Sequence, residues 1–180
     1  LYSLYESAYT PFEWHEELFS YAEDIGIICF SSPFDESAVD LLESLNTPAY
    51  KIASFELVDI PLIRYVASKK KPMILSTGMA NEKDIKNALE AVRIEGNQEV
   101  LLLHCVSSYP APPEQYNLKT IPLMREKFKC MVGLSDHTIG NNNAIASVAL
   151  GAVFIEKHFI SSRTEVGPDS TFSMEPDELL

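Results

Sequence analysis

Two short apolar stretches that end in histidine decide the fold, Gly133-Leu-Ser-Asp-His137 and Ile155-Glu-Lys-His158. Each is typical of a buried strand, and residues 141–151 between them are rich in Ala, Val and Leu and predict a helix. A strand, a helix and a strand in this order form a parallel unit whose carboxyl ends lie side by side. His137 and His158 are therefore predicted to meet over one point. Two converging imidazoles can hold a metal such as Mn, Fe, Co or Zn, and the alternative is two unrelated core histidines.

The alternation of strand and helix continues over the rest of the chain. Four more strands are predicted, at residues 27–30, 49–54, 72–77 and 100–107. No hairpin signal separates any two strands, which indicates an all-parallel α/β fold. Polar residues follow every predicted strand, and this favours a (β/α)₈ TIM barrel, where all strand ends serve one site, over an open doubly wound sheet.

A barrel needs eight strands, so we expect this chain to be an incomplete barrel that lacks the first two. The chain opens on Leu1 and stops within a helical pattern at Leu180, which suggests a piece of a longer protein. Its 180 residues, 46% of them hydrophobic, have room for one domain.

Composition and charge restrict the partners. Fourteen basic and 26 acidic residues give a net charge of −12, which predicts neither a nucleic acid nor a membrane as partner. The three cysteines show no C-x-x-C spacing, so a cytoplasmic location is expected rather than a disulfide framework. The sequence shows neither an apolar run of the ~20 residues that a membrane span needs nor a signal peptide.

Short hydroxyls and one lysine at the predicted strand ends could bind a phosphate, since each donates a hydrogen bond without adding negative charge. These residues are Ser32, Lys51, Ser54, Ser76 and Ser135. Taken singly, each serine is more typical of a turn. Strict strand alternation places Lys51 and Ser54 on opposite faces, so grouping them requires an irregular strand end.

Carboxylates and two further histidines complete the candidates. The carboxylates nearest the predicted site are Glu56, Asp136, Glu156 and Asp169, which could bind sugar hydroxyls, orient an imidazole or transfer a proton. A helix cap for Asp136 and an ion pair with a neighbouring lysine for Glu156 are the structural alternatives. His104 is expected to face the helices and His15 to lie on an exposed helical face, neither with a functional role.

Six motifs, in order and at compatible spacing, resemble the sialic acid synthase family. They are Tyr50–Glu56, Ile74–Met79, Leu103–Pro112, Gly133–Thr138, Ile155–Phe159 and Gly167–Asp169. The resemblance implies a (β/α)₈ barrel followed by a small antifreeze-like (SAF) domain, so residues 1–180 would form a partial barrel domain without the second domain. Within the family, residues 51–56, 10–15 and 167–173 are more similar to pseudaminic acid synthases than to neuraminic acid synthases, which usually have glycine in place of Phe55.

The resemblance also implies an activity, the condensation of phosphoenolpyruvate with an open-chain acetamido sugar to a nonulosonic acid and phosphate. His137 and His158 would hold Mn²⁺ or Mg²⁺, which polarises the sugar aldehyde. The positions that match phosphoenolpyruvate-binding residues are Ser32, Lys51, Ser54, Ser76, Ser107 and Ser135. Those that match sugar contacts, grouped here as catalytic candidates, are Glu56, Tyr109 and Asp169. The full-length protein is expected to be a homodimer, and the fragment alone inactive because family residues of the first two strands are not in it.

Three alternatives stay open. The first is an N-acetylneuraminate or legionaminate synthase, because such sugars differ by contacts worth only ~1–3 kcal/mol each. The second is synthesis of an octulosonic or heptulosonic acid, against which the arrangement from His137 to Asp169 argues. The third is a barrel that binds sugars without turning them over.

Overall fold

The computed structural model describes residues 9–179 and shows a parallel α/β fold. Within that range five strands form one sheet: β1 Tyr50–Ile52, β2 Met73–Ser76, β3 Val100–Cys105, β4 Met131–Asp136 and β5 Ile155–Lys157. All pairings are parallel, and the order is β1-β2-β3-β4-β5. A sheet in strict chain order, without reversal over the described residues, has the arrangement of a barrel wall rather than that of a doubly wound sheet. The predicted all-parallel architecture is confirmed.

Helices connect the strands. They are α1 His15–Asp24, α2 Glu36–Ser44, α3 Ile60–Ser68, α4 Glu82–Ile94, α5 Thr120–Phe128, α6 Asn142–Ala149 and α7 Pro176–Leu179, with 3₁₀ turns at Phe12–Trp14, Glu56–Val58 and Pro113–Gln115. The start of α4 carries a capping box, in which Asn81 accepts from the backbone N–H of Asp84 and the Asp84 carboxylate accepts from that of Asn81. No helix among residues 9–179 is long and apolar enough to cross a membrane.

The core lies between one face of the sheet and the helices. Tyr50, Leu75, Leu102 and Leu134, one from each of the first four strands, are fully buried there. Because successive side chains of a strand point to opposite faces, the residues between them line the other face. That second face becomes polar towards the carboxyl ends of the strands, where the candidate residues lie.

The predicted strand at residues 27–30 is wrong. The structure shows only an isolated parallel bridge between Ser31 and Tyr50 at this place. Ile27 and Ile28 are 62% and 77% exposed, since nothing in the described part of the chain covers them. An apolar run predicts a strand only where a neighbouring strand is present to pair with it.

Of the two histidines that were predicted to have no functional role, one lies where it was expected and the other does not. His104 faces the helix side, where its Nε2 bonds the backbone carbonyl of Tyr116 and its ring meets the Tyr116 ring edge-on, so that prediction is confirmed. His15 is only 8% exposed, and its Nδ1 lies 3.1 Å from the carbonyl oxygen of Pro11. The prediction of an exposed His15 is wrong because the 3₁₀ turn before α1 brings that carbonyl against the ring.

Candidate active site

Three polar residues stand in register at the carboxyl ends of adjacent strands. Cys105 on β3 pairs with Ser135 on β4, which pairs with Glu156 on β5. Residues in register on parallel strands point to the same face, so these side chains lie side by side. Ser135 Oγ donates to Glu156 Oε1 at 2.8 Å, and Lys51 Nζ lies 3.2 Å from Glu156 Oε2. Glu156 therefore connects the lysine of β1 to the serine of β4.

A hollow beside this row, here called the hydroxyl pocket, is formed by Ser54, Gly78, Cys105 and Ser107. The Gly78 N–H donates to Ser54 Oγ at 3.1 Å. A Cβ on Gly78 would lie 3.0 Å from both Ser54 Oγ and Cys105 Sγ and still closer to Ser107 Oγ, so only glycine leaves this space open. Burial raises the pKa of the Cys105 thiol, which therefore stays protonated at neutral pH.

Two buried hydroxyls at this edge lack a partner. Ser76 Oγ and Ser107 Oγ have no hydrogen-bond partner within residues 9–179. β1 ends at Ile52, and Ser54 lies in the following turn. Strict strand alternation therefore does not apply to Ser54, and it can lie on the same side as Lys51. Unpaired buried hydroxyls, at strand ends of a site that also contains the Lys51 ammonium, are suited to an anionic ligand.

His137 and His158 come together at the ends of β4 and β5. Their ring centroids are 5.4 Å apart. His137 Nδ1 lies 2.9 Å from the carbonyl oxygen of Val106, which can only accept, so Nδ1 carries the proton and Nε2 keeps its lone pair. His158 Nδ1 lies 3.4 Å from Asp169 Oδ2, which turns its Nε2 away from that carboxylate. Burial lowers the pKa of His137, which favours the neutral form.

This histidine pair fits a divalent metal. In each ring Nδ1 lies next to an acceptor, as in metal-binding histidines. His137 Nε2 lies 3.4 Å from Ser135 Oγ, whose proton is donated to Glu156, so the Nε2 lone pair is left for a metal. Nitrogen donors suit Mn, Fe, Co and Zn better than Mg, which prefers oxygen. Among residues 9–179 no group of three or more His, Cys, Asp or Glu side chains is placed to hold a metal ion. The pair would thus supply two protein ligands and leave the other positions to water, substrate or further ligands.

An aromatic wall surrounds the pair. The Tyr109 ring lies 4.2 Å from that of His137, and the Phe172 ring lies 5.0 Å from that of His158. Phe172 is buried, and the loop that carries it also brings Asp169 to His158. Sequence reasoning identified Tyr109 and Asp169 but missed Phe172, whose only signal is its position three residues after Asp169.

Ser32 and Glu56 lie beside Lys51. Ser32 lines a cavity of about 530 Å³ together with Lys51 and Glu156. Glu56 opens the 3₁₀ turn after β1, and its Oε2 is buried without a partner among the described residues. Burial raises the pKa of Glu56, the nearby Asp59 carboxylate adds to this effect, and the Lys51 ammonium opposes it.

Glu156 was considered in the sequence but not placed in the site. Its partner is Lys51, from a distant strand, and not the neighbouring lysine of the structural alternative. The alternation of side chains along a strand could have placed Glu156 in the site, because it lies two residues before His158 and therefore on the same face. Asp136, expected as a possible helix cap, instead accepts from the Lys157 ammonium at 2.9 Å.

Comparison with known proteins places the chain in a family. Residues 1–180 match the NeuB family over the full chain. The chain belongs to the NeuB family. The resemblance to sialic acid synthases is thereby confirmed.

Two relatives illustrate the range of the family. The pseudaminic acid synthase of Helicobacter pylori is 49% identical over 175 residues, which cover 97% of this chain and 52% of that protein. The N,N'-diacetyllegionaminic acid synthase of Campylobacter jejuni is 44% identical over 167 residues, 92% of this chain and 50% of that protein. The chain thus spans about half the length of these curated relatives.

A solved structure supports the fold. The N-acetylneuraminic acid synthetase of Leptospira borgpetersenii, crystallised with citrate, superposes with a TM-score of 0.94 at 33% identity. The match covers 98% of this chain and 62% of that one. This NeuB-family chain therefore shares the backbone of a sialic acid synthetase over almost its whole length.

Proposed function

We propose that the protein containing this chain condenses phosphoenolpyruvate with an open-chain acetamido sugar, giving a nonulosonic acid and phosphate. One observation carries the proposal: a continuous series of contacts runs from Lys51 through Glu156 and Ser135 to His137. Its last step is the 3.4 Å between Ser135 Oγ and His137 Nε2. A hydroxyl-rich region that contains the Lys51 ammonium thus adjoins an imidazole pair suited to a metal, which supports a reaction between these two substrates.

The hydroxyl pocket and Lys51 are proposed to bind phosphoenolpyruvate. Ser76 Oγ and Ser107 Oγ are buried donors without a partner in the described part of the chain, so an anion would satisfy both. Lys51, now paired with Glu156, would supply a positive charge to the anion in a chain whose net charge is −12. Ser32, Ser54 and Ser135 complete the proposed set.

The histidine pair is proposed to face the sugar. A bound Mn²⁺ or Mg²⁺ would supply Lewis acidity towards the sugar aldehyde. His137 and His158 would hold this ion through Nε2, and the Tyr109 ring restricts the space in front of them. Asp169, half exposed next to His158, and Glu56 are proposed to contact sugar hydroxyls, as the family resemblance implies.

The proposed reaction balances with one water. Carbon 3 of phosphoenolpyruvate forms the new bond to the aldehyde carbon, whose oxygen takes a proton. Water adds at carbon 2, and the bond from carbon 2 to the phosphate oxygen breaks, so phosphate leaves and a 2-keto acid remains. Glu56 is the candidate proton donor, because burial keeps its pKa above the ordinary range.

Pseudaminic acid is the product we propose first. The pseudaminic acid synthases of Helicobacter pylori and Campylobacter jejuni are 49% and 47% identical to the chain. Legionaminic acid is the second candidate, since a relative of that name is 44% identical. By the same family resemblance, the whole protein is proposed to be a cytoplasmic homodimer with a complete barrel.

The test is phosphate release by the full-length protein. Phosphoenolpyruvate, Mn²⁺ and a panel of acetamido sugars are supplied, and the product is identified by mass spectrometry. We expect turnover with the precursor of pseudaminic acid, loss on chelation, recovery with Mn²⁺, and a fall of at least about 10³-fold in His137→Ala.

Two outcomes would contradict the proposal. Turnover that neither a chelator nor His137→Ala affects would exclude the metal role. Binding of sugar by the full-length protein without phosphate release under any condition would favour the non-catalytic sugar-binding barrel.

A further inference from the structure

Tyr116 connects the core to the end of β4. The residue follows the 3₁₀ turn at Pro113–Gln115, and its ring is fully buried among the apolar residues under the sheet. Its hydroxyl donates to the carbonyl oxygen of Ser135 at 2.9 Å and accepts from the backbone N–H of His137 at 2.7 Å. The phenol oxygen thus closes a small ring around the backbone that leads into His137.

His137 is anchored by two further hydrogen bonds to the backbone. Its carbonyl oxygen accepts from the Ala111 N–H at 3.0 Å, and its Nδ1 bonds Val106 O at 2.9 Å. Together with the bond to Tyr116, these anchors all come from residues 106–116, the segment after β3. The Tyr116 hydroxyl alone among these partners belongs to a side chain, so a substitution can remove it without touching the backbone.

We infer that Tyr116 is a positioning residue for metal binding, holding the His137 backbone so that Nε2 stays opposite His158. The inference rests on the proposed metal role of the two histidines. Metal sites require ligands held to within about 0.5 Å, and loss of a supporting hydrogen bond typically lowers metal affinity about 10–100-fold. Tyr116 touches neither ring nitrogen, so its effect must act through the backbone of His137.

The ordinary explanation of this tyrosine is that a buried hydroxyl needs partners, and any carbonyl would serve. That explanation predicts a cost in folding stability and none in metal affinity. The structure offers a matched control, because Tyr50 is also fully buried and its hydroxyl bonds Glu43 Oε1 at 2.6 Å, on the helix side of β1. The same substitution at both positions separates the two roles.

The experiment compares Tyr116→Phe and Tyr50→Phe by titration with Mn²⁺ alone, following free Mn²⁺ by electron paramagnetic resonance. We expect Tyr116→Phe to weaken Mn²⁺ binding about tenfold and Tyr50→Phe to leave it unchanged. Thermal unfolding is recorded for both variants, and the titration is done well below the lower Tm. Unchanged Mn²⁺ affinity in Tyr116→Phe would overturn the inference, whatever its stability.

A second measurement on the unsubstituted protein does not depend on how the variant folds. Coupling between two events is reciprocal, so a bond that favours metal binding must itself be favoured by the metal. The amide hydrogen of His137 should therefore exchange more slowly when Zn²⁺ is bound. Equal exchange rates with and without Zn²⁺ would overturn the inference.

The proposed function fails in a different way. If the unsubstituted protein binds no Mn²⁺, or if His137→Ala binds it equally well, the metal role of the pair is excluded before any tyrosine variant is made. If His137→Ala abolishes binding but Tyr116→Phe does not weaken it, only the positioning role of Tyr116 is lost.

Discussion

The hydroxyl pocket and the ends of β4 and β5 lie at the same edge of the sheet, but they differ in whether their buried polar groups have hydrogen-bond partners. In the pocket, Ser107 Oγ has no partner among residues 9–179. At the ends of β4 and β5, Asp136 Oδ1 accepts from the N–H and the hydroxyl of Thr138 at 3.0 and 2.8 Å. Its Oδ2 accepts from Lys157 Nζ at 2.9 Å. Lys157 Nζ also donates to the carbonyl oxygen of Thr138 at 2.7 Å.

This difference indicates that one region binds a ligand and the other holds neighbouring residues in position. A buried polar group without a hydrogen bond costs about 1–3 kcal/mol, so unpaired hydroxyls are expected where a ligand completes them. A buried network whose members satisfy each other fixes the positions of its neighbours instead. Asp136 and Lys157 directly precede His137 and His158 in the sequence, so this network lies where the histidine pair needs support.

The largest expected effect breaks the network. Lys157→Met leaves the buried Asp136 carboxylate without its cation and should lower the free energy of unfolding by about 3–5 kcal/mol, as removal of one partner from a buried ion pair does. Urea denaturation followed by circular dichroism measures this loss.

Lys86→Met is the matched control. Lys86 forms an exposed pair with Glu82 at 2.7 Å on α4, and pairs of this kind contribute little to stability because solvent screens the two charges. If the two variants lose stability equally, the Asp136–Lys157 pair is not the support that the comparison assigns to it.

The next effect tests the pocket. Gly78→Ala places a methyl group against Ser54 Oγ, Cys105 Sγ and Ser107 Oγ. We expect affinity for phosphoenolpyruvate to fall about 100-fold, or about 2.7 kcal/mol, because the added carbon occupies the ligand's space. Stability should change little, because the closest atom ends a side chain that can rotate. Isothermal titration of the full-length protein measures the affinity.

Gly133→Ala is the control, and it should lower stability without changing ligand affinity. Its Cβ would meet the backbone carbonyl of Phe154 on the adjacent segment, which cannot rotate away. We expect a loss of about 1–3 kcal/mol in stability and unchanged affinity of the folded protein for phosphoenolpyruvate. A Gly78→Ala protein that loses stability yet retains its affinity for phosphoenolpyruvate would show that the hollow is a packing feature and not a pocket.

The sequence predicted the sheet because buried parallel strands are nearly all apolar and their connections follow a fixed hand. The same apolar pattern gave a correct prediction for β3 and a wrong one for residues 27–30. An apolar run reports that a segment is suited to burial, but pairing depends on a neighbour, and Ile28 has none to cover it in the described residues. Local pattern therefore predicts the strand, and tertiary context decides whether it forms.

The site was predictable where strand ends alone define it. His137 and His158 follow from two strand ends and one crossover, and the structure brings their rings together. Phe172 and Tyr116 were missed because each reaches the histidines from an irregular segment, whose path no periodicity describes. The pairing of Lys51 on β1 with Glu156 on β5 was not predictable from local pattern, because these strands are not neighbours in the sheet and only their long side chains meet.

The smallest expected effect is that of Ser107→Ala, which should lower ligand affinity without lowering stability. Ser107→Ala removes a buried hydroxyl that has no partner in the described part of the chain, so stability should stay equal or rise by up to about 1 kcal/mol. Affinity for phosphoenolpyruvate should fall about tenfold, the loss expected for one hydrogen bond to a charged ligand.

Ser147→Ala is the control for this last variant, since its buried hydroxyl donates to the carbonyl oxygen of Ala144 at 2.7 Å within α6. There the substitution deletes a bond that already exists, so stability should fall by up to about 1 kcal/mol while phosphoenolpyruvate affinity stays constant. Thermal unfolding and calorimetric titration of both variants measure the two quantities. If Ser107→Ala were as destabilising as Ser147→Ala and bound phosphoenolpyruvate normally, the Ser107 hydroxyl would have a partner within the protein, and the pocket would lose its strongest mark as a ligand site.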